Sequence, residues 1–600
     1  MANPIAKKIE SPKGAQYRPL RVWPAILLIV AMILIRFLPS LFGATGENVM
    51  MAQAMGPAVC GGLILIWWLC ISRAMWFERI VGTIGIVIVV FLVDTFVSAS
   101  MEGIGLLIIA IPMGMAAFGI GAVLFRNCLG FRRTIFAVLL ATIGFGFTTL
   151  LRADGMWSDA KLTLHWRWTP TNEDILVEEK RNEPKSVSVI SPELASGLVN
   201  PEWPAFRGGD RTSRHRGALV SSQLPRTFEP VWKISVGPSW SSFAVAGNLL
   251  FTQEQRGDNE AVVCYDARSG KELWIYEVKT RFEETIGGPG PRATPTLAMV
   301  ATADGSSTPS LFSLGANGTL VRLDPMTGKS LWEQELQKVA DREPPTWGFS
   351  SSPLVVGSNV IVHAGGTEKK GTLAFDVSTG DLVWSAVSGD HSYGSPQLSE
   401  ILGEDLILMS SNNGLEILDP ADGSMRLNYE WKSQGYRALQ PQVFGGDTVV
   451  IASGIGTGSR RIKLTRSESS GNLDAEEVWT SMNLKPDFND YVAFDGHLYG
   501  FDGSIFTCID LETGKRTWKG GRYGKGQVLL LEESGMLLVA SEKGEVVLLK
   551  TDPNSHNELA RFQAIDGKTW NHPVVVGDRL FIRNGQEAAC FQLPTDGTQP

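Results

Sequence analysis

The sequence predicts an N-terminal α-helical membrane domain of five helices, followed by an all-β propeller of eight blades. Two observations predict this fold class. Hydropathy divides the chain sharply near Arg152, and the part before it contains five long apolar runs. Near-copies of one short motif then recur through the C-terminal two thirds of the chain, which is typical of a repeat protein. We expect a membrane domain over residues 1–151, a connector over 152–200 and the propeller over 201–600.

Each apolar run is long enough to span a bilayer. Lysines and arginines precede the first run and follow the second and fourth, whereas the loops at 40–51 and 98–103 carry none. The positive-inside rule therefore places the N-terminus in the cytoplasm and, after five crossings, the propeller on the outer side. The runs are about Val22–Leu38, Met55–Ile71, Ile80–Val97, Ile104–Phe125 and Ile135–Leu151.

Two charged residues lie inside these runs, Arg36 late in the first and Asp94 late in the third. Both helices are expected to run outward, so the two side chains fall at similar depth and a salt bridge between them is predicted. Such charges can lie at the membrane interface or join helices. The functional alternative is a quinone or proton site, because ionisable residues in membrane helices are functional candidates.

The repeated motif is a β-hairpin that ends each unit. Its Asp can bond its own turn backbone, the following Gly supplies the positive φ of the turn, and the closing Trp is expected to pack between neighbouring units. The unit length of about 39 to 58 residues is typical of propeller blades. The copies are Val262–Trp274, Val321–Trp332, Leu373–Trp384, Leu415–Leu427 and Phe506–Trp518.

The first and last units are each incomplete, and together they predict how the ring closes. Trp232 lies in an orphan outer strand, Phe228–Val236, with no inner strands before it. The last unit has strands at Val574–Arg583 and Ala588–Leu593 but no outer strand after them. Pairing the two gives eight blades and leaves no long open sheet edge.

Composition excludes some classes of function. The formal net charge is −8 and no basic stripe occurs, so nucleic acid is excluded as a partner. The seven histidines show no close ligand spacing, and no metal site is predicted. Cys264, Cys508 and Cys590 occupy matching strands of different blades, which are far apart, so we expect buried thiols.

The candidate binding positions lie just before the opening strand of each blade, because the innermost strands of a propeller converge on its channel. Aromatic, amide and cationic side chains there can stack on and hydrogen-bond a flat anionic ligand. The same residue types also satisfy turn backbone, which is the structural alternative. The candidates are Trp347, Ser352, Tyr393, Arg437, Arg522, Lys525, Trp570 and Asn571.

The Asp-x-x-Thr-Gly-Lys-x-x-Trp repeats over about residues 201–593 resemble the blades of pyrroloquinoline quinone (PQQ) propellers, a family that includes quinoprotein dehydrogenases and BamB-like proteins. Trp203–Asp210, Tyr499–Asp502, Arg522–Gly526 and Trp570–Asn584 are similar to a bacterial branch of PQQ-binding-like repeat proteins. The resemblance implies a location in the bacterial inner membrane with a periplasmic propeller.

The resemblance implies two functions of different classes. The favoured one is a binding or scaffolding module that contacts the bilayer and either envelope proteins or a small ligand at the channel. The alternative is a PQQ-dependent dehydrogenase that oxidises a sugar or alcohol and passes electrons to membrane quinone. It implies PQQ with Ca²⁺, for which Arg437, Arg522 or Lys525 could neutralise carboxylates and Trp347 could stack on the rings. A catalytic Asp cannot be assigned, because Asp266, Asp324, Asp376 and Asp510 are turn residues.

Overall fold

The computed structural model describes residues 19–42, 47–128, 131–182, 190–225, 228–302, 305–433, 435–454, 456–468 and 471–595. The chain forms two compact units. One comprises Met1–Thr169 with Glu284–Gly288, and the other comprises Pro170–Glu283 with Pro289–Pro600.

The first unit is α-helical. Within the described residues, five helices are long and apolar enough to cross a membrane, which confirms the predicted helical half of the fold. A two-stranded hairpin, Leu151–Met156 with Leu162–Trp166, follows them. The helices are α1 (Trp23–Leu41), α2 (Glu47–Cys70), α3 (Trp76–Phe96), α4 (Ile111–Leu124, preceded by a π-helical turn at Leu106–Ala110) and α5 (Arg132–Phe147).

Small residues and one ion pair hold α3, α4 and α5 together. A Cβ atom on Gly121 of α4 would lie 2.8 Å from the Cα of Ala137 in α5, so only glycine permits this crossing. Glu78 of α3 and Arg133 of α5 form an ion pair of 2.6 Å in which both side chains are fully buried. Because two nitrogens of Arg133 contact the two carboxylate oxygens, the pair fixes the relative position of both helices.

The predicted salt bridge between Arg36 and Asp94 is wrong. Arg36 instead donates to the carbonyl oxygen of Gln53 at 3.2 Å, and the Gln53 amide donates back to the carbonyl oxygen of Arg36 at 3.0 Å. Asp94 is exposed and forms no ion pair within the described part of the chain. The two side chains do not meet because of how the helices are arranged: α1, which carries Arg36, packs against α2 and α4, whereas Asp94 lies on α3.

The second unit contains eight sheets, each a propeller blade of four antiparallel strands counted outward from the channel, which confirms the predicted propeller. The sheet of blade 7 has a fifth strand, Arg214–His215, which pairs in parallel with the opening strand of that blade. Blades 1 to 4 are Ala244–Ala246, Leu249–Arg256, Asn259–Asp266, Glu272–Val278; Thr296–Ala301, Ser307–Leu314, Thr319–Leu323, Ser330–Glu335; Leu354–Val356, Asn359–His363, Thr372–Asp376, Leu382–Ala386; and Gln397–Ile401, Glu404–Ser410, Gly414–Leu418, Met425–Glu430.

Blades 5 to 8 complete the ring. They are Gln442–Phe444, Thr448–Ser453, Gly458–Arg466, Leu473–Ser481; Tyr491–Phe494, His497–Asp502, Ile505–Asp510, Arg516–Arg522; Gln527–Leu531, Met536–Ala540, Glu545–Lys550, Glu558–Gln563; and Val574–Val576, Arg579–Arg583, Glu587–Gln592, Trp232–Ser235. Blade 8 takes its outer strand from the start of the propeller, with Trp232 opposite Cys590. The predicted closure is therefore confirmed.

The closing tryptophans join neighbouring blades. The indole N–H of Trp274 in blade 1 donates to the carbonyl oxygen of Pro325 in blade 2 at 3.0 Å, and Trp332 repeats this contact with Val377 of blade 3 at 2.9 Å. The turn glycine lies against the indole: Gly328 has a φ of +69°, and a Cβ there would lie 2.5 Å from the Trp274 ring. Both the turn and the packing therefore require glycine at this position.

Among the described residues of the second unit, three short α-helices and one 3₁₀-helix lie outside the blades. The α-helices are Asn172–Asn182, Pro192–Ala195 and Leu336–Ala340, and the 3₁₀-helix is Ser196–Val199. The first is tied to blade 1 through Glu173, whose carboxylate accepts from the backbone N–H of Gly257 and pairs with Arg281 at 2.8 Å.

Candidate functional site

Consecutive blades are joined by a chain of hydrogen bonds where their opening strands begin. The backbone N–H of Ser242 donates to Thr294 Oγ1, that of Thr294 to Ser352 Oγ, and that of Ser352 to Ser395 Oγ. The backbone N–H of Ser395 then donates to Gln440 Oε1, and each of these bonds is 2.9 Å long. These hydroxyl and amide oxygens accept hydrogen bonds from backbone N–H groups. This is the structural role that was the alternative to ligand binding for residues of this type.

The propeller axis is occupied by the protein's own chain. We call residues Trp203–His215 the axial segment. This segment contacts every blade, either at the residues where the opening strand begins or along that strand. Only a segment on the axis can reach all eight. Its partners from blade 1 to blade 8 are Val245, Leu297, Ser352, Pro396, Gln442, Asp490, Val528 and His572.

Arg211 anchors the axial segment to blades 3 and 4. Its guanidinium donates to the carbonyl oxygens of Ser352 at 3.1 Å, Pro396 at 2.9 Å and Pro353 at 2.6 Å. The side chain is 1% exposed and bonds to carbonyl dipoles, and burial lowers the pKa of Arg211 to about 9. Carbonyl oxygens therefore hold a cation on the propeller axis.

Arg207 anchors the other side of the same segment. Its Nε lies 2.7 Å from a carboxylate oxygen of Asp490 in blade 6, and another of its nitrogens donates to the carbonyl oxygen of Tyr491. Burial raises the pKa of Asp490, while the nearby Arg207 charge acts in the opposite direction. Arg207, Arg211 and Ser213 all have positive φ, between +57° and +63°, so the tight path costs backbone strain that these side-chain bonds offset.

Ser213 and His572 lie beside the Arg207–Asp490 ion pair and form a Ser–His–Asp grouping with Asp490. The hydrogen bonds of this grouping are structural. Ser213 Oγ lies 2.6 Å from His572 Nε2, and it donates its proton to the carbonyl oxygen of Val528. His572 Nε2 must therefore carry the proton that it shares with Ser213, so His572 cannot act as the base for that hydroxyl. Burial lowers the pKa of His572 to about 3. All three groups are buried.

Aromatic side chains surround the channel at the end where the opening strands begin. Six of them, here called the aromatic rim, lie in the loops that lead into those strands: Trp240, Trp347, Tyr393, Tyr436, Phe488 and Trp570. Because all opening strands run in the same direction, these loops meet at one end of the propeller.

One half of the rim is a packed cluster over blades 3 to 5. The ring of Trp347 lies 5.1 Å from that of Tyr393 and 4.5 Å from that of Tyr436. The Tyr436 hydroxyl donates to Asp487, and burial and the Asp487 charge raise the pKa of Tyr436. Asp487 also pairs with Lys525 at 2.8 Å, so blades 5, 6 and 7 share one charge-assisted link.

The other half of the rim is a stack over blades 6, 8 and 1. Trp570 lies 4.7 Å from Phe488 and 4.8 Å from Trp240, measured between ring centroids. The ammonium of Lys568 lies 4.2 Å above the Trp570 ring, and the Trp570 indole N–H donates to Glu542 at 2.9 Å. The six rings are all partly exposed, so this end of the propeller presents a mixed aromatic and charged surface.

The predicted candidates separate into three groups. Trp347, Tyr393, Lys525 and Trp570 belong to the rim or contact it directly. Ser352, Arg437 and Asn571 are buried in structural bonds: Arg437 donates to the carbonyl oxygens of Ser411 and Trp431, and Asn571 bridges to Ser239 and Ser241 of blade 1. Arg522 is exposed at the end of an outer strand, away from the opening strands.

Sequence reasoning missed Trp240, Tyr436 and Phe488 of the rim, Asp487 next to it, and the position of the axial segment in the channel. The spacing to a Pro marks only residues that were predicted. In blades 4 and 8 the rim residue stands three places before the Pro at the start of the opening strand, namely Tyr393 before Pro396 and Trp570 before Pro573, whereas the missed Tyr436 stands five places before Pro441. The two arginines of the axial segment carry no such marker, since nothing local in the sequence links them to residues more than 140 positions away.

The residues do not fit the PQQ and Ca²⁺ that the resemblance implies. Arg207 and Arg211 fill the axis at the level where the opening strands begin. Two carboxylates beside the opening strands are already paired, Asp490 with Arg207, and Asp487 with Lys525 and Tyr436. In the part of the chain that the structure describes, no three His, Cys, Asp or Glu side chains are grouped as a metal site requires.

Comparison with known proteins identifies relatives of the propeller. A family model described as outer membrane protein assembly factor BamB matches residues 216–310 and 305–520. BamB of Yersinia pestis is 22% identical over 286 residues, which are 45% of this chain and 69% of that protein. Quinohemoprotein alcohol dehydrogenase ADH IIB of Pseudomonas putida is 30% identical over 152 residues, which are 23% of this chain and 20% of that enzyme.

Solved structures give matches of the same kind. BamB from Moraxella catarrhalis aligns with a TM-score of 0.41 and 15% identity, over 62% of this chain and 99% of its own. Quinohemoprotein alcohol dehydrogenase ADHIIG from Pseudomonas putida HK5 aligns with a TM-score of 0.45 and 11% identity, over 70% of this chain and 85% of its own. Because the family model spans half of the sequence, the chain belongs to the BamB family of PQQ-like β-propellers.

Proposed function

We propose that this protein is a membrane-anchored binding or scaffolding module of the bacterial cell envelope, and that its aromatic rim contacts a protein partner. The axial segment is the observation that carries the proposal. It fills the propeller axis and joins all eight blades through Trp203–His215. A propeller whose axis is filled binds its partners at its surface, where the rim loops can present side chains to another protein.

The composition of the rim supports a protein partner. Tryptophan, tyrosine and arginine are the residues most enriched at the energetic centres of protein interfaces. Trp347 and Trp570 are partly exposed and are held by ring contacts and a hydrogen bond, so they would lose little conformational freedom on binding. The relatives named as outer membrane protein assembly factor belong to this class of function.

We further propose that the protein lies in the inner membrane with a cytoplasmic N-terminus and a periplasmic propeller. The five apolar helices and the distribution of lysine and arginine between their loops support this arrangement. A dehydrogenase that uses PQQ and membrane quinone is the alternative, and the filled axis and the committed carboxylates argue against it.

The test is site-specific photo-crosslinking of the full-length protein in cells. A photoreactive residue is placed at His391 beside Tyr393, where the side chain is 42% exposed, and as a matched control at Arg268 in a blade turn, where it is 52% exposed. We expect a defined adduct from position 391 that disappears when Trp347 and Tyr393 are changed to Ala, and no such adduct from position 268.

A titration of the purified full-length protein with PQQ and Ca²⁺ separates the two functions. We expect no saturable binding and no dye reduction with sugars or alcohols. Stoichiometric PQQ binding with turnover would establish the dehydrogenase instead, and equal adducts from positions 391 and 268 would show that the rim is not the contact surface.

A further inference from the structure

A small cavity between blades 1 and 2 is lined by buried oxygen atoms that have no partner. Its volume is about 20 Å³, and its lining includes Gln253, Glu260, Ser313 and Thr319. Glu260 Oε1 and Ser313 Oγ each lack a hydrogen-bond partner, and their residues are only 5% and 0% exposed. A cavity of this size holds one water molecule or one small ion.

The two oxygens of Glu260 have different roles. One receives the backbone N–H groups of Ala316 and Asn317 in the turn of blade 2, so the carboxylate reaches across the blade interface. Gly315 allows this approach, because a Cβ there would collide with the carboxylate. The other oxygen, Oε1, lines the cavity with Ser313, so its burial is not explained by the turn.

The cavity lining favours a cation over other occupants. Gln253 uses its amide nitrogen to donate to the carbonyl oxygens of Ala293 and Leu314, and Thr319 donates its hydroxyl proton to Glu335. The remaining polar atoms are therefore mainly acceptors, which suit a hard cation. Water could satisfy hydrogen bonds here, but it would not neutralise a buried carboxylate.

We propose that this cavity is a binding site for a single small monovalent cation of sodium size, coordinated by Glu260 Oε1 and Ser313 Oγ. One carboxylate provides one negative charge, which matches a monovalent ion better than Ca²⁺, whose sites take six to eight oxygen ligands. Burial raises the pKa of Glu260 to about 7, while the backbone N–H groups of Ala316 and Asn317 and the charge of Arg292 act in the opposite direction. The site does not depend on the proposed function of the rim.

The cation site is linked to the rim through the turn that Glu260 caps. The carbonyl oxygen of Ala316 accepts from the backbone N–H of Phe349 at 2.8 Å, and Gly348 packs against Ala316. These residues follow Trp347 directly. Occupation of the cavity is therefore expected to slow hydrogen exchange in the loop that carries Trp347.

The test measures thermal unfolding of the full-length protein in detergent at constant ionic strength, with chloride salts of sodium, potassium, calcium or N-methylglucamine. We expect Tm to rise saturably by about 2 °C in sodium relative to N-methylglucamine. Glu260→Gln should abolish this rise. The matched control is Glu416→Gln, another buried carboxylate, at 2% exposure in blade 4, which should keep it.

Two further readings keep the result clear. Ser313→Ala retains the carboxylate and removes one ligand, so the sodium concentration that gives half of the rise in Tm should increase several-fold. This measurement tests the site even if Glu260→Gln fails to fold. Hydrogen exchange at 347–350 should slow in sodium for the unmodified protein only. Identical Tm values in all salts would overturn the proposal and leave a site for water only. A sodium effect that survives in Glu260→Gln would also overturn it, because the effect would then arise elsewhere.

Discussion

Arg207 Nε and a carboxylate oxygen of Asp490 lie 2.7 Å apart on the propeller axis, with side chains 1% and 4% exposed. The two residues are 283 positions apart, so the pair joins the segment that enters the propeller to its sixth blade. A buried pair is costly to break, because each charge left alone is desolvated without compensation.

Asp490→Asn should lower the free energy of unfolding by about 3–5 kcal/mol, because it leaves the Arg207 cation buried beside a neutral amide. Chemical unfolding of the full-length protein in detergent measures the change. Arg216→Ala is the control, since Arg216 pairs with Asp210 and Glu532 at the surface, where its side chain is 58% exposed. It should cost about 0–1 kcal/mol. Equal losses from the two variants would contradict an axial role for the pair.

Gly328→Ala should destabilise the propeller more than Gly257→Ala does. Both glycines have positive φ, +69° and +60°, so both substitutions strain the backbone by about 1–2 kcal/mol. At Gly328 the new methyl also meets the Trp274 ring at 2.5 Å, whereas the space around Gly257 is open. Thermal unfolding of the two variants compares them directly, and similar Tm values would show that the indole contact contributes nothing.

Glu78→Gln should loosen the helical unit. It removes one charge of the buried pair with Arg133 and leaves that guanidinium uncompensated between α3 and α5. We expect a lower Tm in detergent and faster proteolysis. Arg132→Gln changes the neighbouring, exposed arginine and serves as the control. If the Tm of Glu78→Gln matches that of the control, the ion pair does not contribute to the packing of these helices.

The fold was predictable because its signals are local and repeated. The Asp and Gly of each turn and the closing Trp lie within one hairpin, so the eight blades and the role of Trp274 follow from short sequence windows. The closure through Trp232 followed from counting strands. Apolar length alone predicted the five helices.

The candidate site was only partly predictable, because it depends on contacts between distant residues. Position before an opening strand found Trp347 and Trp570 but could not show that Ser352 faces the neighbouring blade or that Arg437 is fully buried. The axial contacts of Arg211 connect residues 141 to 185 positions apart. The same limit explains the error at Arg36, since equal depth in a membrane does not make two helices neighbours.

Glu416 should make stability fall as pH rises. Burial raises its pKa to about 7 from an ordinary value of 4.5, although Ser411, the backbone N–H of Gly389 and Arg437 act in the opposite direction. A carboxyl with a raised pKa in the folded state is stabilising below its unfolded pKa, and this contribution is lost as pH rises to the folded pKa. The loss should therefore develop between pH 4.5 and about 7.

Glu416→Gln removes this titration while keeping the shape of the side chain. The difference in unfolding free energy between the unmodified protein and Glu416→Gln, measured from pH 4.5 to 8, should change steadily in favour of the variant and level off above about pH 7. Other titrating groups cancel in this difference, including Glu260, whose pKa is also raised to about 7. A difference that does not vary with pH would mean that Glu416 stays ionised in the fold, held by Arg437.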